Sequence, residues 1–75
     1  MKLNTVNVIE IINNSITQIK SFTDNEEGNK EAEAIFLQCL KENTEIELTE
    51  EVKTFLLDEG FYNDNYYQLC LTHSD

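Results

Sequence analysis

The chain contains no proline and no arginine, and it has only two glycines among its 75 residues. The scarcity of proline and glycine, the two turn-forming residues, favours a compact helical bundle with short loops. Without arginine, the chain lacks the planar guanidinium group that binds phosphate through two parallel hydrogen bonds. Direct binding to DNA, RNA or an anionic membrane is therefore not expected.

Cysteine, histidine and long apolar segments are also scarce. Cys39, Cys70 and His73 are too few to form a structural zinc site within one chain. No segment approaches the length of a membrane span, and the first residues lack the continuous apolar stretch of a secretory signal. We therefore expect a cytoplasmic protein with reduced cysteines, with a single disulfide as the less favoured alternative.

The sequence contains no recognisable set of catalytic residues. The single histidine, His73, lies in a tail over 72–75 that is expected to fray, where a general base is poorly held. Residues 24–28 superficially suggest a calcium loop, but the glycine and the required glutamate are misplaced. Paired carboxylates fall at predicted exposed positions, where burial cannot separate their pKa values. We expect no enzymatic activity, no cofactor and no metal site.

The most prominent property that the sequence does have is negative charge. It contains 15 acidic residues against five lysines, for a net charge of −10. Residues 24–59 hold twelve of the acidic residues and three of the lysines, which gives −9, whereas residues 1–23 carry +1. An acidic excess of this kind indicates either a basic partner or only a well-solvated surface.

Apolar periodicity predicts a single all-α domain over residues 1–75, built from three to four short helices. Isoleucines at three- and four-residue spacing predict the first helix within residues 1–23. The many β-branched residues make a strand at 3–12 the alternative. The last element, at 66–71, is predicted as a helix, with a short strand as its alternative.

Two more helices are expected in the acidic half. After a polar break at 23–29, one begins near Asp24 or, more favourably, near Asn29, and it runs to about Asn43. The next has Thr49 as its N-cap and ends at Gly60, after a possible short extended segment at 44–48. The apolar faces of the predicted helices define the expected core: Ile9, Ile12, Ile16, Ile19, Phe36, Leu40, Val52, Phe55, Leu56 and Leu69.

The functional hypothesis depends on residues 42–60, the densest acidic segment. Acidic residues one helical turn apart have Cβ atoms about 5–6 Å from each other, which is of the same order as the charge spacing of a nucleic-acid strand. We expect a non-enzymatic inhibitor that occupies the basic groove of a nucleic-acid-binding protein, with aromatic anchors. The expected partner-binding residues are Glu42, Glu45, Glu47, Glu50, Glu51, Asp58, Glu59, Tyr62, Tyr66 and Tyr67. A second set is Asp24, Glu26, Glu27, Glu31 and Glu33.

In size and charge, the chain resembles the small acidic inhibitors of phages and mobile elements, including anti-restriction and anti-CRISPR proteins. It is similar in the same respects to the helical immunity proteins that neutralise nuclease toxins. The resemblance involves no shared motif and assigns no residues. It implies the basic-groove inhibitor or, alternatively, a protein bound to one cognate toxin. A third alternative is a small regulatory module that binds through an apolar face. We expect the chain to be a monomer or a homodimer.

Overall fold

The computed structural model describes residues 4–74, which form a four-stranded sheet and two helices. In chain order the elements are β1 (Thr5–Ile12), β2 (Ser15–Thr23), α1 (Glu26–Asn43), α2 (Glu50–Glu59), β3 (Phe61–Asn63) and β4 (Tyr67–Ser74). The strands lie in the order β2-β1-β4-β3, and each neighbouring pair is antiparallel. The predicted all-α bundle is therefore wrong, and the protein has an α+β fold.

Residues 5–23 form a β-hairpin where the sequence predicted the first helix. The hairpin turns at Asn13 and Asn14, whose φ angles are 52° and 66°. A two-residue hairpin turn of type I′ has positive φ at both positions, which asparagine tolerates better than most residues with a side chain. The strand alternative at 3–12 is correct from Thr5 onward, while Leu3 lies outside the described residues.

The isoleucine spacing resembles that of a helix because the alternation of apolar and polar residues along the hairpin strands is interrupted. Its pairing register shifts between Glu10 and Ile11, and Thr17 is the extra residue of the resulting bulge. The turn and the bulge together break the period of two that a strand normally shows. The isoleucines are left at intervals of three and four residues, although they belong to two strands.

The C-terminal segment is also a strand rather than the predicted helix. β4 pairs with β1 along its whole length and with β3 over its first part. The turn before β4 is closed by Asp64, whose Oδ1 accepts backbone N–H bonds from Tyr66 (2.8 Å) and Tyr67 (2.7 Å). Pairing continues to Ser74, so the expected fraying is wrong up to that residue, and Asp75 lies outside the described residues.

α1 lies across one face of the sheet and begins at the earlier of its two predicted starts. Asn25 caps the helix, and its side chain accepts the N–H of Gly28 at 2.7 Å. Gly28 is buried, and a Cβ at this position would overlap the carbonyl oxygen of Thr23. A glycine inside the helix is therefore required by the close approach of the hairpin.

The core lies between α1 and the sheet. Ala32, Phe36 and Leu40 follow one another at four-residue spacing along α1, and all three are completely buried. This spacing places them on one helical face, which packs against the sheet. The rest of the buried core comes from the strands and α2, namely Val6, Val8, Leu56, Tyr67 and Leu69.

The predicted core is correct in α1, in β4 and in part of α2, but in the hairpin it is correct only for Ile12. Ile16, Ile19 and Phe55 are 63%, 57% and 63% exposed. The two isoleucines lie on the sheet face that α1 does not cover, and Phe55 lies on the outer side of α2. Ile9 is half-buried on the same uncovered face. The remaining predicted core residues are buried or pack against the core: Ile12, Phe36, Leu40, Val52, Leu56 and Leu69.

Candidate functional site

α2 organises the acidic surface, and it begins and ends where the sequence predicted. Thr49 caps it, because its side-chain oxygen accepts the N–H of Val52 at 3.3 Å. Gly60 ends it with a left-handed φ of 67°, and the Gly60 N–H donates to the Leu56 carbonyl at 2.8 Å. Both ends of this short helix are thus fixed, which holds its outward side chains in defined positions.

The segment before α2, residues 44–49, alternates in burial. Ile46 and Leu48 are half-buried and pack against the core, whereas Glu45 and Glu47 are exposed. The backbone is extended at Thr44 and at Thr49, but the Thr49 N–H donates to the Glu47 carbonyl at 3.1 Å, which closes a tight turn inside the segment. The segment belongs to no strand of the sheet, so the extended segment at 44–48 stays a prediction. Because the two apolar side chains turn inward, both glutamates are directed to solvent.

Glu51, Phe55 and Asp58 form what we call the acidic stripe of α2. Their spacing of four and then three residues puts them on one helical face. All three are exposed, and Phe55 is exposed by 63%. At a rise of 1.5 Å per residue, the two carboxylates are about 10 Å apart along the helix axis. The acidic stripe therefore presents an aromatic ring between two carboxylates.

A shallow apolar groove adjoins the acidic stripe. It has a volume of about 540 Å³ and lies where α2, the 44–49 segment and β3 meet. The groove is lined by Ile46, Glu51, Val52, Phe55, Leu56 and Tyr62. Such a groove can accept an apolar side chain of a partner while the Glu51 carboxylate contacts a neighbouring cation.

The remaining predicted carboxylates are spread over the helical side of the molecule. Glu50 and Glu59 stand at opposite ends of α2, about 13 Å apart along its axis. Glu42 lies in the last turn of α1. All of these, together with Glu45 and Glu47, are exposed. The second predicted set lies at and before the start of α1 and is also exposed: Asp24, Glu26, Glu27, Glu31 and Glu33.

Lysines neutralise little of this charge. Lys30 pairs with Glu26 and Lys53 pairs with Glu50, each at 3.6 Å and with exposed side chains. Exposed pairs of this kind are worth about 1 kcal/mol at most. These are the ion pairs in the described part of the chain, so the carboxylates of the acidic stripe have no lysine partner there. They are available to cations of another molecule.

The three predicted tyrosines lie in different surroundings. Tyr62 is half-buried in the groove, and its hydroxyl donates to Asp64 at 3.2 Å. Tyr66 is 63% exposed in the turn before β4, away from the groove lining. Tyr67 is 2% exposed and belongs to the core, so it is not accessible to a partner. The aromatic residue that sequence reasoning missed is Phe55, since its apolar spacing suggested burial.

The two cysteines lie on opposite sides of the sheet and do not pair. Cys39 packs at the edge of the core, whereas Cys70 of β4 faces away from α1. Burial raises the pKa of both thiols, and the Glu10 carboxylate raises the pKa of Cys39 further. A nucleophilic cysteine needs a lowered pKa, so neither thiol has the environment of a reactive one. The ring of His73 contacts the side chain of Asn29 at 3.1 Å.

Within residues 4–74, histidine, cysteine and acidic side chains form no cluster that could hold a metal ion. No helix in the same part of the chain has the length and apolar character needed to cross a membrane. The fold and the site define a small α+β protein whose helices carry an acidic surface. No protein-family model, curated protein or solved structure matches this chain.

Proposed function

We propose that the protein is a non-enzymatic inhibitor that binds the basic groove of a nucleic-acid-handling protein. The binding surface is the acidic stripe with the adjoining groove and the 44–49 segment. The observation that carries the proposal is the exposed Phe55 ring between the carboxylates of Glu51 and Asp58. We expect the protein to act in the cytoplasm, together with the nucleic-acid-handling protein that it binds.

The carboxylate spacing supports this proposal. The axial separation of Glu51 and Asp58, about 10 Å, corresponds to roughly three steps of a nucleic-acid strand at 3.4 Å per step. Glu47 and Glu50 extend the negative charge toward the start of α2, and both are exposed. A groove built from lysine and arginine would therefore meet carboxylates at intervals that suit its phosphate contacts.

The exposed ring of Phe55 also supports the proposed binding to a basic groove. Proteins that bind single strands combine a cationic groove with aromatic side chains on which bases stack, worth about 1–3 kcal/mol per base. Phe55 is an exposed ring flanked by negative charge, which is the arrangement of a base between phosphates. A solvated acidic face that served only solubility would have no need of an exposed phenylalanine at its centre.

Capture from a bacterial lysate tests the proposal. The immobilised protein is washed at about 50 mM salt and then eluted at about 500 mM, where electrostatic attraction is screened within about 4 Å. The expected eluate contains a nucleic-acid-binding protein with a basic groove. The double variant Glu51→Lys with Asp58→Lys should lose this protein.

The matched control is Glu31→Lys with Glu33→Lys on α1, which changes the net charge by the same amount at other exposed positions. This variant should retain the captured protein. Equal loss in both variants would show general charge attraction and contradict the proposed site. Retention of the partner through the high-salt wash would also contradict it.

Phe55→Ala separates mimicry of a base from attraction between charges. It removes the ring and leaves the carboxylates of the acidic stripe in place. We expect affinity for the captured protein to fall about tenfold, with an unchanged dependence on salt. An unchanged affinity would remove Phe55 from the binding surface.

A further inference from the structure

One face of the sheet is left uncovered by α1, and we call it the open face. The register places Ile9 opposite both Ile19 and Cys70, and Cys70 opposite Phe61. Directly paired residues point to the same side, so these four side chains form a row across all four strands. Ile11 and Ile16, which pair with each other, lie beside this row on the same face.

The open face is distinguished by its lack of charge. Apart from the apolar row and the pair Ile11 and Ile16, the described strand residues on it are threonine, serine, asparagine and glutamine. Glu10 bonds with Tyr67 on the helix side, and His73 contacts Asn29 of α1. Lys20 pairs with the buried Val8 and so also faces α1. The chain has a net charge of −10, yet the described strand residues of this face include no carboxylate, so charge is segregated between the two faces.

The apolar residues of the open face are continuous rather than scattered. Ile16, Ile19 and Phe61 are 63%, 57% and 47% exposed, and Ile9 and Cys70 between them are half-buried. Single exposed apolar residues are ordinary, but a contiguous patch on a small protein marks an interaction site.

We propose that the open face binds a second copy of this chain, giving a reversible dimer of two sheets packed face to face. Sheets in such a sandwich are about 10 Å apart. The helical layers then lie on the two outer sides, about 30 Å from each other. This distance exceeds the Debye length of about 8 Å several-fold, so the two acidic surfaces repel each other weakly.

Charge and area both favour a second copy as the occupant. A basic partner would find no carboxylate among the described strand residues of the open face, whereas the same residues of a second copy bring no charge that has to be desolvated. The four strands have 8, 9, 3 and 8 residues, which at about 3.3 Å per residue and about 4.8 Å between strands cover roughly 440 Å² per copy. The total of roughly 900 Å² is slightly below the about 1,000 Å² expected of a stable interface, which fits a weak two-fold symmetric dimer.

This inference does not depend on the proposed function. The dimer leaves the acidic stripe of each copy on the outside, so self-association and binding of a basic partner use different surfaces. Raising salt should loosen the complex with a basic partner, whereas it should leave the dimer unchanged or slightly tighter.

Sedimentation equilibrium over protein concentrations from about 1 µM to about 1 mM tests the dimer. We expect a reversible monomer–dimer equilibrium that Ile19→Lys and Ile19→Glu each weaken by about tenfold or more. Because these two variants change the net charge in opposite directions, weakening by both excludes an effect of net charge. Phe55→Lys, which alters an equally exposed apolar side chain on the helical side, should leave the equilibrium unchanged. A monomer over the whole range, or dissociation by Phe55→Lys alone, would overturn the proposal.

Two further measurements exclude pairing through the edge of β2. Phe61→Lys alters β3, at the opposite edge of the sheet, and should weaken a face-to-face dimer as strongly as the Ile19 variants do. In a Cys39→Ala background, the reaction of Cys70 with a thiol reagent should slow as the dimer forms, because Cys70 lies in the interface. A dimer that survives Phe61→Lys and leaves Cys70 equally reactive would overturn the face-to-face arrangement.

Discussion

The hydroxyl of Tyr67 donates a hydrogen bond of 2.8 Å to Oε2 of Glu10, 57 residues away in the chain. The Oε1 atom of the same carboxylate accepts a bond of 2.8 Å from Thr17. The side chain of Asn43, at the end of α1, donates to Oε2 at 3.5 Å. One half-buried carboxylate of β1 therefore joins β2, β4 and α1. The pKa of Tyr67 is raised, first by burial and then by its bond to Glu10.

Tyr67→Phe should lower the free energy of unfolding by about 1.5–3 kcal/mol, because a partly buried hydrogen bond to a carboxylate is lost. Urea unfolding measures the change. The control is Tyr62→Phe, which removes a bond of 3.2 Å to Asp64 on the exposed side and should cost about 0.5 kcal/mol or less. Equal effects of the two variants would contradict the role assigned to Glu10.

Asn14→Gly should stabilise the protein by about 0.5 kcal/mol, because glycine adopts the φ of 66° without the penalty of a Cβ. Asn14→Val should destabilise it by about 1–3 kcal/mol, since a β-branched residue is strained at this φ. Thermal or urea unfolding gives both values. In a helix the glycine variant would be the destabilised one, so a loss of stability with glycine would contradict the hairpin.

Acidification should remove the stabilisation that the hydrogen bonds to the Asp64 carboxylate provide. The backbone N–H groups of Tyr67 and Tyr66 lower the pKa of its carboxyl group. Because the folded-state pKa lies below the unfolded value of about 3.9, the stabilisation is present above about pH 4 and is lost as pH falls through the folded pKa. The difference in unfolding free energy between the wild type and Asp64→Asn should therefore shrink on acidification. A difference that is constant with pH would contradict the lowered pKa.

The helices could be predicted because their signals are local. Thr49 and Gly60 define the ends of α2 through the conformations that their own residue types favour. The apolar face of α1 likewise follows from residues within one helix. The strands depend on distant partners, as when Thr5 pairs with Ser74. A local pattern does not show such pairing, and the bulge at Thr17 removed the alternation that would have indicated a strand.

The candidate site was predictable in its carboxylates and unpredictable in its aromatic residue. Charged side chains on short helices stay in water because burial is costly, so their exposure follows from residue type. Phe55 is apolar and sits beside Leu56, and either could have filled the core. The structure buries Leu56 to 7% exposure and leaves Phe55 outside. In the sequence, only Glu51 and Asp58, four residues before and three residues after Phe55, indicated that Phe55 lies on the outer side of α2.

The most direct test of the central claim is a titration that shows which side of the molecule binds a basic partner. Isotope-labelled protein is mixed at low salt with an arginine-rich peptide that contains one leucine, and backbone amide signals are followed by NMR. The largest changes are predicted at Glu51, Phe55 and Asp58, and they should disappear in the Glu51→Lys, Asp58→Lys double variant. Changes centred on Ile9 and Cys70 of the open face would contradict the account.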